Sequence, residues 1–308
     1  MAQQPVLVVT GPTASGKSAL ALDLASRLRG TVVNADAMQT YDAFPILTAQ
    51  PSAEERLRAP HVLYGILPLS GTLSAPRWRD LATVEIDRSF AAGRQPILCG
   101  GSGLYLRTLM RGIPAIPDAP AAVRDQANAE WAALGAEAFR KRLAGKDPAI
   151  VARLKPGDRQ RHVRAWEVWV TTGRPLSLWQ AGAVQAPRWS FRSILLAPDR
   201  TRLRDRIEKR FDAMLEAGVL AEVRRVFDRG VDLRWPGLKA HGAPELLAHF
   251  RGEMTLDRAR RIAIDHTRQY AKRQMTWFRH QLVPDVVVDP GHPFDVAAME
   301  KFLTKSEA

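Results

Sequence analysis

Val6-Leu7-Val8-Val9-Thr10-Gly11-Pro12-Thr13-Ala14-Ser15-Gly16-Lys17-Ser18 is the stretch that decides the fold. The first residues form a short apolar, β-branched run of the kind that builds a buried parallel strand. Gly11 to Ser18 then matches G-x-x-x-x-G-K-[ST] at every fixed position. A helix follows from Lys17 to about Arg29, with Leu20, Leu24 and Leu28 at helical spacing and Gly30 closing it. Strand, glycine turn and helix together make an anion cradle. Glycines let the backbone wrap phosphate oxygens, the helix N-terminus favours negative charge, Lys17 adds a positive one, and the Ser18 hydroxyl suits Mg²⁺. The loop specifies a phosphate ester and leaves the reaction open.

Strand and helix signals alternate onward from there. Thr31-Val32-Val33 reads as a second strand. Ser74 caps a helix with Pro76 in its first turn and Trp78, Leu81, Ala82, Ile86 and Phe90 on one stripe. Pro96-Ile97-Leu98-Cys99 is another buried strand, running into Gly100-Gly101-Ser102-Gly103. This rhythm predicts an α/β fold, a parallel sheet with flanking helices. Pro114, Pro117 and Pro120 then punctuate a linker, and residues 121–179 read as helix only, with Trp131, Trp166, Trp169 and Trp179 expected in a helical core. Ser193-Ile194-Leu195-Leu196 returns to strand. Two helices follow, striped by Leu203, Ile207, Phe211 and Leu215 and by Leu220, Val223 and Phe227. A long basic helix over about Leu256–His280 and a last strand near Val286-Val287-Val288 complete the pattern. The expected organisation is a core in two parts, 1–116 and 189–308, around a mostly helical insertion at 117–188.

The 308 residues carry 45 Lys and Arg against 32 Asp and Glu, a net charge of +13, and residues 200–280 supply +8 of it. That excess favours a polyanionic partner such as nucleic acid. At 46% apolar and 25% charged residues the chain is too apolar for disorder. Its apolar runs are too short to span a bilayer, and its start does not read as a signal peptide, so a cytoplasmic protein is expected. The single Cys99 excludes a disulfide framework and a cysteine-based zinc site. His162, His241, His266 and His280 show no spacing that suggests metal and read as surface or capping residues.

An ATPase or kinase usually carries a second acid at a later strand end, yet the strand at Ile97-Leu98 runs into Cys99-Gly100-Gly101. The acid that does follow a strand is Asp36. The strand-end rule for open α/β sheets places it on the same crevice as the loop, as a base, a metal ligand or a helix cap.

Six segments taken together resemble the tRNA dimethylallyltransferases, also called tRNA isopentenyltransferases. They are Gly11–Ser18, Asn34–Tyr41, Gly100–Tyr105, Asp158–Val168, Arg206–Phe211 and Thr267–Phe278. Their order covers nearly the whole chain. The resemblance implies a P-loop NTPase-like core and transfer of a dimethylallyl group from dimethylallyl pyrophosphate to the N6 amine of the adenosine 3′-adjacent to the anticodon. It implies that Gly11, Pro12, Thr13, Ala14, Ser15, Gly16, Lys17 and Ser18 hold the donor's pyrophosphate, with Mg²⁺ at Ser18. Asp36 becomes the general base, with Thr13 and Arg210 completing the catalytic set. Asp36, Ala37, Met38, Gln39 and Ser102 would face the tRNA anticodon stem-loop, as would Arg124, Gln160, Arg161, His162, Val163 and Arg164 on the insertion. A monomer is expected, and ATP is a further candidate ligand of the loop. A P-loop small-molecule kinase and a prenyltransferase acting on free adenine nucleotide are the competing readings. A non-enzymatic RNA-binding protein would need neither the loop nor Asp36.

The chain departs from the family pattern in a few places. Leu47-Thr48-Ala49-Gln50 stands where Gly-Thr-Ala-Lys is usual, and His241-Gly242-Ala243 lacks a tyrosine after its glycine. Ala37 and Ser102 replace a serine and a threonine.

Overall fold

The computed structural model describes residues 5–184 and 186–290; the end of the expected 189–308 segment therefore lies outside the described residues. Contacts divide the chain into two compact units. One holds the chain up to Met110 and from Arg188 on, and the other is Arg111–Pro187.

In the first unit the elements run β1 (Val6–Thr10), α1 (Lys17–Arg27), β2 (Gly30–Asn34), α2 (Ala53–Arg58), β3 (His61–Val62), α3 (Ala75–Ala91), β4 (Gln95–Gly100) and α4 (Gly103–Arg111). The second unit holds α5 (Ala121–Ala144), α6 (Pro148–Arg153), α7 (Arg159–Thr172) and α8 (Leu176–Gln180). The first unit resumes with β5 (Phe191–Leu196), α9 (Arg200–Glu216), α10 (Val219–Asp228), α11 (Ala243–Phe250), α12 (Leu256–Gln281) and β6 (Val286–Val288).

Among the described residues the strands form one parallel sheet in the order β3-β2-β4-β1-β5-β6. The alternation of side chains sorts its two faces. Leu7, Val9, Val32, Ile97 and Ile194 pack against Leu20 and Leu24 of α1. Val6, Val8, Val33, Leu98 and Leu195 pack against Trp78 and Ile86 of α3, Leu106 of α4 and Phe278 of α12. Burying each such side chain contributes about 1.5–3 kcal/mol. Ser74 caps α3 as expected, accepting from the Arg77 amide. A further core, around Phe211, Leu246 and Ala263, binds α9–α12 to the segment Tyr41–Leu47.

α10 packs its expected stripe, with Val223 buried and Leu220 and Phe227 half-buried on the same core, and it also buries Val219, Val226 and Glu222. The Glu222 carboxylate accepts from the amides of Ile46 (2.7 Å) and Leu47 (2.9 Å).

The helical unit has its own core of Phe139, Leu143, Ile150, Val163 and Trp166, with Trp131, Trp169 and Trp179 packed on it. It begins at Arg111, ahead of the residue 117 suggested by the prolines. Ile116 packs into this core, and the Pro117 carbonyl accepts from Arg164 at 3.0 Å. His162 and Val163 are corrected here from surface or RNA-facing positions to core ones. Both are buried, on the same side of α7 as Trp166, and His162 Nδ1 lies 2.7 Å from the Asp158 carbonyl.

Candidate active site

The strand order places β1 and β4 side by side at the centre, and the turns after β1, β2 and β4 meet at their carboxyl ends. Hydrogen bonds, two of them backbone to backbone, lock these turns together. Ala35 N donates to the Cys99 carbonyl at 2.8 Å, Ser102 N to the Ala35 carbonyl at 3.1 Å, and Thr10 Oγ1 to the Gly100 carbonyl at 2.8 Å. The approach is so close that a Cβ on Gly100 would lie 2.1 Å from the Ala35 carbonyl carbon, so only glycine fits.

The loop between β1 and α1 is built as an anion cradle. Gly16 caps α1 at φ 94°, a left-handed conformation that glycine adopts without strain. A side chain there would also meet Arg206, whose Nη2 lies 2.9 Å from the Cβ position. The Ser15 hydroxyl is buried with no hydrogen-bond partner. Lys17 is buried, and that burial pushes its pKa down while the nearby Asp36 charge pushes it up. An ammonium in this position is stabilised by an anion.

Asp36 is held by its neighbours. Asn34 Oδ1 accepts from Asp36 N at 2.8 Å, and Asn34 Nδ2 donates to the carbonyls of Asp36 and Leu63, each at 3.0 Å. Asp36 Oδ1 accepts from Met38 N at 3.0 Å, which leaves Oδ2 available. The Ser102 hydroxyl accepts from Ala37 N at 2.9 Å and so joins the Asp36 turn to the turn after β4. Gln39 has a scaffolding part: its amide donates to the carbonyls of Thr48 and Ala49, both at 2.9 Å. Gln50, in place of the usual lysine, donates to the Tyr41 carbonyl at 2.7 Å and keeps this turn closed without a charge.

Arg210 reaches the loop from α9, and its Nη1 donates to Thr13 Oγ1 at 3.2 Å. Arg206 and Lys209 on the same helix are exposed, whereas Arg210 is half-buried. Desolvation pushes its pKa down, and the charge of Asp36 opposes this.

Two cavities meet at Ala14, Lys17, Ser18, Ala49, Arg210 and Met214. The smaller, of about 90 Å³, ends on Asp36 and is walled by Met38, Thr267, Tyr270 and His241. The larger, of about 520 Å³, carries Val32, Ile46, Tyr64 and Met214 together with Arg206 and Lys209. The sequence-predicted Thr13, Lys17, Ser18, Asp36, Met38, Gln39 and Arg210 therefore share one site. On the helical unit, Arg124, Gln160 and Arg161 are exposed, and Arg164 is partly committed to Glu167 at 3.3 Å and to Pro117.

Thr267, Tyr270 and Gln274 lie within a segment of family resemblance and His241 within a departure from it, and sequence reading gives none of them a place in the site. Gln274 had a visible signal, being a polar residue in the buried stripe of α12. His241 is corrected from a surface or capping residue: its ring lies 4.4 Å from that of Tyr270, and burial, then Arg273, pushes its pKa down. His266 pairs with Glu245 at 2.6 Å. Cys99 is buried, and its thiol is pushed up to about 11, which keeps it protonated and unreactive. Among the described residues no group of three or more His, Cys, Asp or Glu gathers for a metal, and no helix is long and apolar enough to cross a membrane.

A parallel sheet with a glycine-rich loop of the P-loop pattern, and an acid and an arginine converging on that loop, defines a P-loop-like enzyme fold. The family model described as IPP transferase matches residues 39–281. The tRNA dimethylallyltransferase of Rhodospirillum centenum is 52% identical over 303 residues, 98% of this chain and 96% of that one. The corresponding protein of Granulibacter bethesdensis is 49% identical, covering 91% and 88%. Among solved structures, the tRNA isopentenylpyrophosphate transferase of Bacillus halodurans superposes with a TM-score of 0.71 at 32% identity, covering 98% and 96%. A eukaryotic dimethylallyltransferase acting on tRNA gives 0.79 at 25% identity, covering 93% and 74%. The chain belongs to the IPP transferase family.

Proposed function

We propose that the protein is a tRNA dimethylallyltransferase that moves the dimethylallyl group of dimethylallyl pyrophosphate onto N6 of the adenosine 3′-adjacent to the anticodon. The observation that carries this reading is the meeting of two cavities at Lys17, Ser18 and Arg210, one of them ending on Asp36. A two-substrate transfer needs two entrances and one shared anion site. The larger cavity takes the donor, with its diphosphate on the loop. The smaller takes the adenine, unstacked so that its amine reaches the donor carbon.

The N6 nitrogen forms a bond to the allylic carbon as that carbon's bond to the diphosphate oxygen breaks. The N6 proton passes to Asp36, and the electron pair of the broken bond leaves on pyrophosphate. Loop amides, Lys17 and Arg210 stabilise the departing charge. The Ser18 hydroxyl is a hard oxygen donor on the wall of the Asp36 pocket and would hold Mg²⁺, while Thr13 Oγ1 receives Arg210 and Asp36 Oδ2 stays free for the proton. Mg²⁺ held by Ser18 would add to the neutralisation of the diphosphate.

Incubation of the purified protein with unmodified tRNA and dimethylallyl pyrophosphate yields prenylated adenosine without ATP. An absolute ATP requirement would favour the kinase reading, and product on free nucleotide alone would favour the other alternative.

The helical unit supplies RNA contacts through Arg161, which is exposed and held only at 3.5 Å by Asp158. Arg161→Ala weakens tRNA binding and lowers the slope of log K against log salt by about one. Titrations at several KCl concentrations check this, and an unaltered slope would put the RNA elsewhere.

A further inference from the structure

Gln274, which bonds the β1 loop, is among the side chains that the reaction leaves without a part. The inner stripe of α12 is otherwise apolar, with Ala263, Ala271 and Phe278 buried, and Gln274 occupies one of its positions at 5% exposure. A glutamine amide in such a place is costly unless both of its ends are bonded. Both are. Its Oε1 accepts from the Thr13 amide at 2.8 Å, and its Nε2 donates to the Gly101 carbonyl at 2.9 Å. The fit leaves no slack, since a Cβ on Gly101 would stand 2.2 Å from Gln274 Nε2.

This has a consequence for the loop. With its amide committed to Gln274, Thr13 offers the site its hydroxyl, which is the atom that receives Arg210. The same helix brings Thr267 and Tyr270 to the wall of the Asp36 pocket. One side chain thus ties the donor loop, the turn after β4 and the acceptor wall.

We propose that Gln274 is a positioning residue for the transfer step: by bonding the Thr13 amide and the Gly101 carbonyl together, it sets the register between the diphosphate on the β1 loop and the acceptor amine beside α12. The proposal rests on the prenyl-transfer reading. Docking of α12 does not depend on Gln274. Arg260 grips Asp212 of α9 through two bonds of 2.6 and 2.7 Å, Arg268 reaches Glu208 at 2.9 Å, and Phe278 is buried among the sheet-facing core.

The test uses Gln274→Met, which keeps the volume and removes both bonds, and Gln274→Glu. Rates are read in single turnover at saturating tRNA and donor, beside tRNA affinity and the thermal midpoint. The methionine variant slows transfer on the order of 10- to 100-fold, the scale of a small misplacement of reacting groups, with tRNA affinity close to wild type and a somewhat lower thermal midpoint, the cost of leaving the Thr13 amide and the Gly101 carbonyl unpaired. The glutamate variant carries a second signature. Its ionised form can accept from Thr13 but opposes the Gly101 carbonyl, whereas its protonated form restores the donor. The ratio of its rate to that of the wild type therefore rises as the pH falls. A rate within twofold of wild type for the methionine variant overturns the proposal. So does a loss confined to melting temperature or tRNA affinity, or a pH-independent ratio for the glutamate variant. Absence of product from the wild-type enzyme would instead sink the prenyl-transfer reading on which the proposal rests.

Discussion

Asp36→Asn slows dimethylallyl transfer in single turnover by roughly 10²- to 10⁴-fold, the usual contribution of a positioned general base, and leaves tRNA affinity within a small factor of wild type. The substitution is close to a single-atom experiment. The backbone at this position is held by Asn34, on both sides of residue 36, and needs nothing from the carboxylate. The bond from Met38 N goes to Oδ1, an atom that asparagine keeps. Only the second oxygen changes, from an acceptor of the amine proton to an amide that cannot take it. A second effect has a definite sign. The Asp36 charge favours protonated Lys17 against the desolvation that disfavours it. Removing that charge lowers the lysine pKa further, so donor affinity in the variant begins to fall at a lower pH on the alkaline side than in the wild type. Rapid-quench measurement with labelled donor reads the rate, and equilibrium titration across pH reads the affinity. An unchanged single-turnover rate would remove Asp36 as the base.

What could be read from the sequence, and what could not, follows from the range over which each signal acts. The β1–loop–α1 unit is local: periodicity and a spaced motif both lie within some twenty residues, and the structure gives Val6–Thr10 and Lys17–Arg27. The long α12 announces itself by length and pattern, ending at Gln281. β3 has two half-buried residues, His61 and Val62, too few for any period to register. α2, six residues with none buried, shows no apolar stripe, but its capping box, Ser52 with Glu55, is a legible start signal. The segment 160–164 shows the limit of carrying a motif as a block. Helical geometry turns Gln160 and Arg161 outward and His162 and Val163 into the core, a distinction already present in the 3.6-residue period. The site itself is the least legible part. Gln274 meets Thr13 across 261 positions and Arg210 meets Thr13 across 197, and neither pairing leaves any trace in local composition.

Arg210→Met lowers the transfer rate by about 10²- to 10³-fold, the cost of losing one preorganised partner of developing charge, and at the same time spares the ligand-free enzyme a penalty. Among the described residues Arg210 makes one hydrogen bond, to the neutral Thr13 hydroxyl, although a guanidinium carries five donors. A half-buried cation so poorly satisfied is expensive to the empty fold, as the downward push of desolvation on its pKa records. On the proposed reading a diphosphate bound at Arg210 offsets that expense. The melting temperature of the ligand-free methionine variant is therefore at or above that of the wild type. Pyrophosphate raises the wild-type midpoint, as any ligand of the native state must, and raises that of the variant much less. Arg210→Lys recovers only part of the rate, since a point charge cannot reproduce the planar fork. Thr13→Val and Arg210→Met combined cost less than the sum of their separate effects, because each removes the contact that the other uses. Scanning calorimetry with and without pyrophosphate, run beside single-turnover rates, gives all of these readings. A variant that melts below the wild type and keeps the full stabilisation by pyrophosphate would assign the leaving group to another cation, with exposed Lys209 and Arg206 the next in reach of the same cavity.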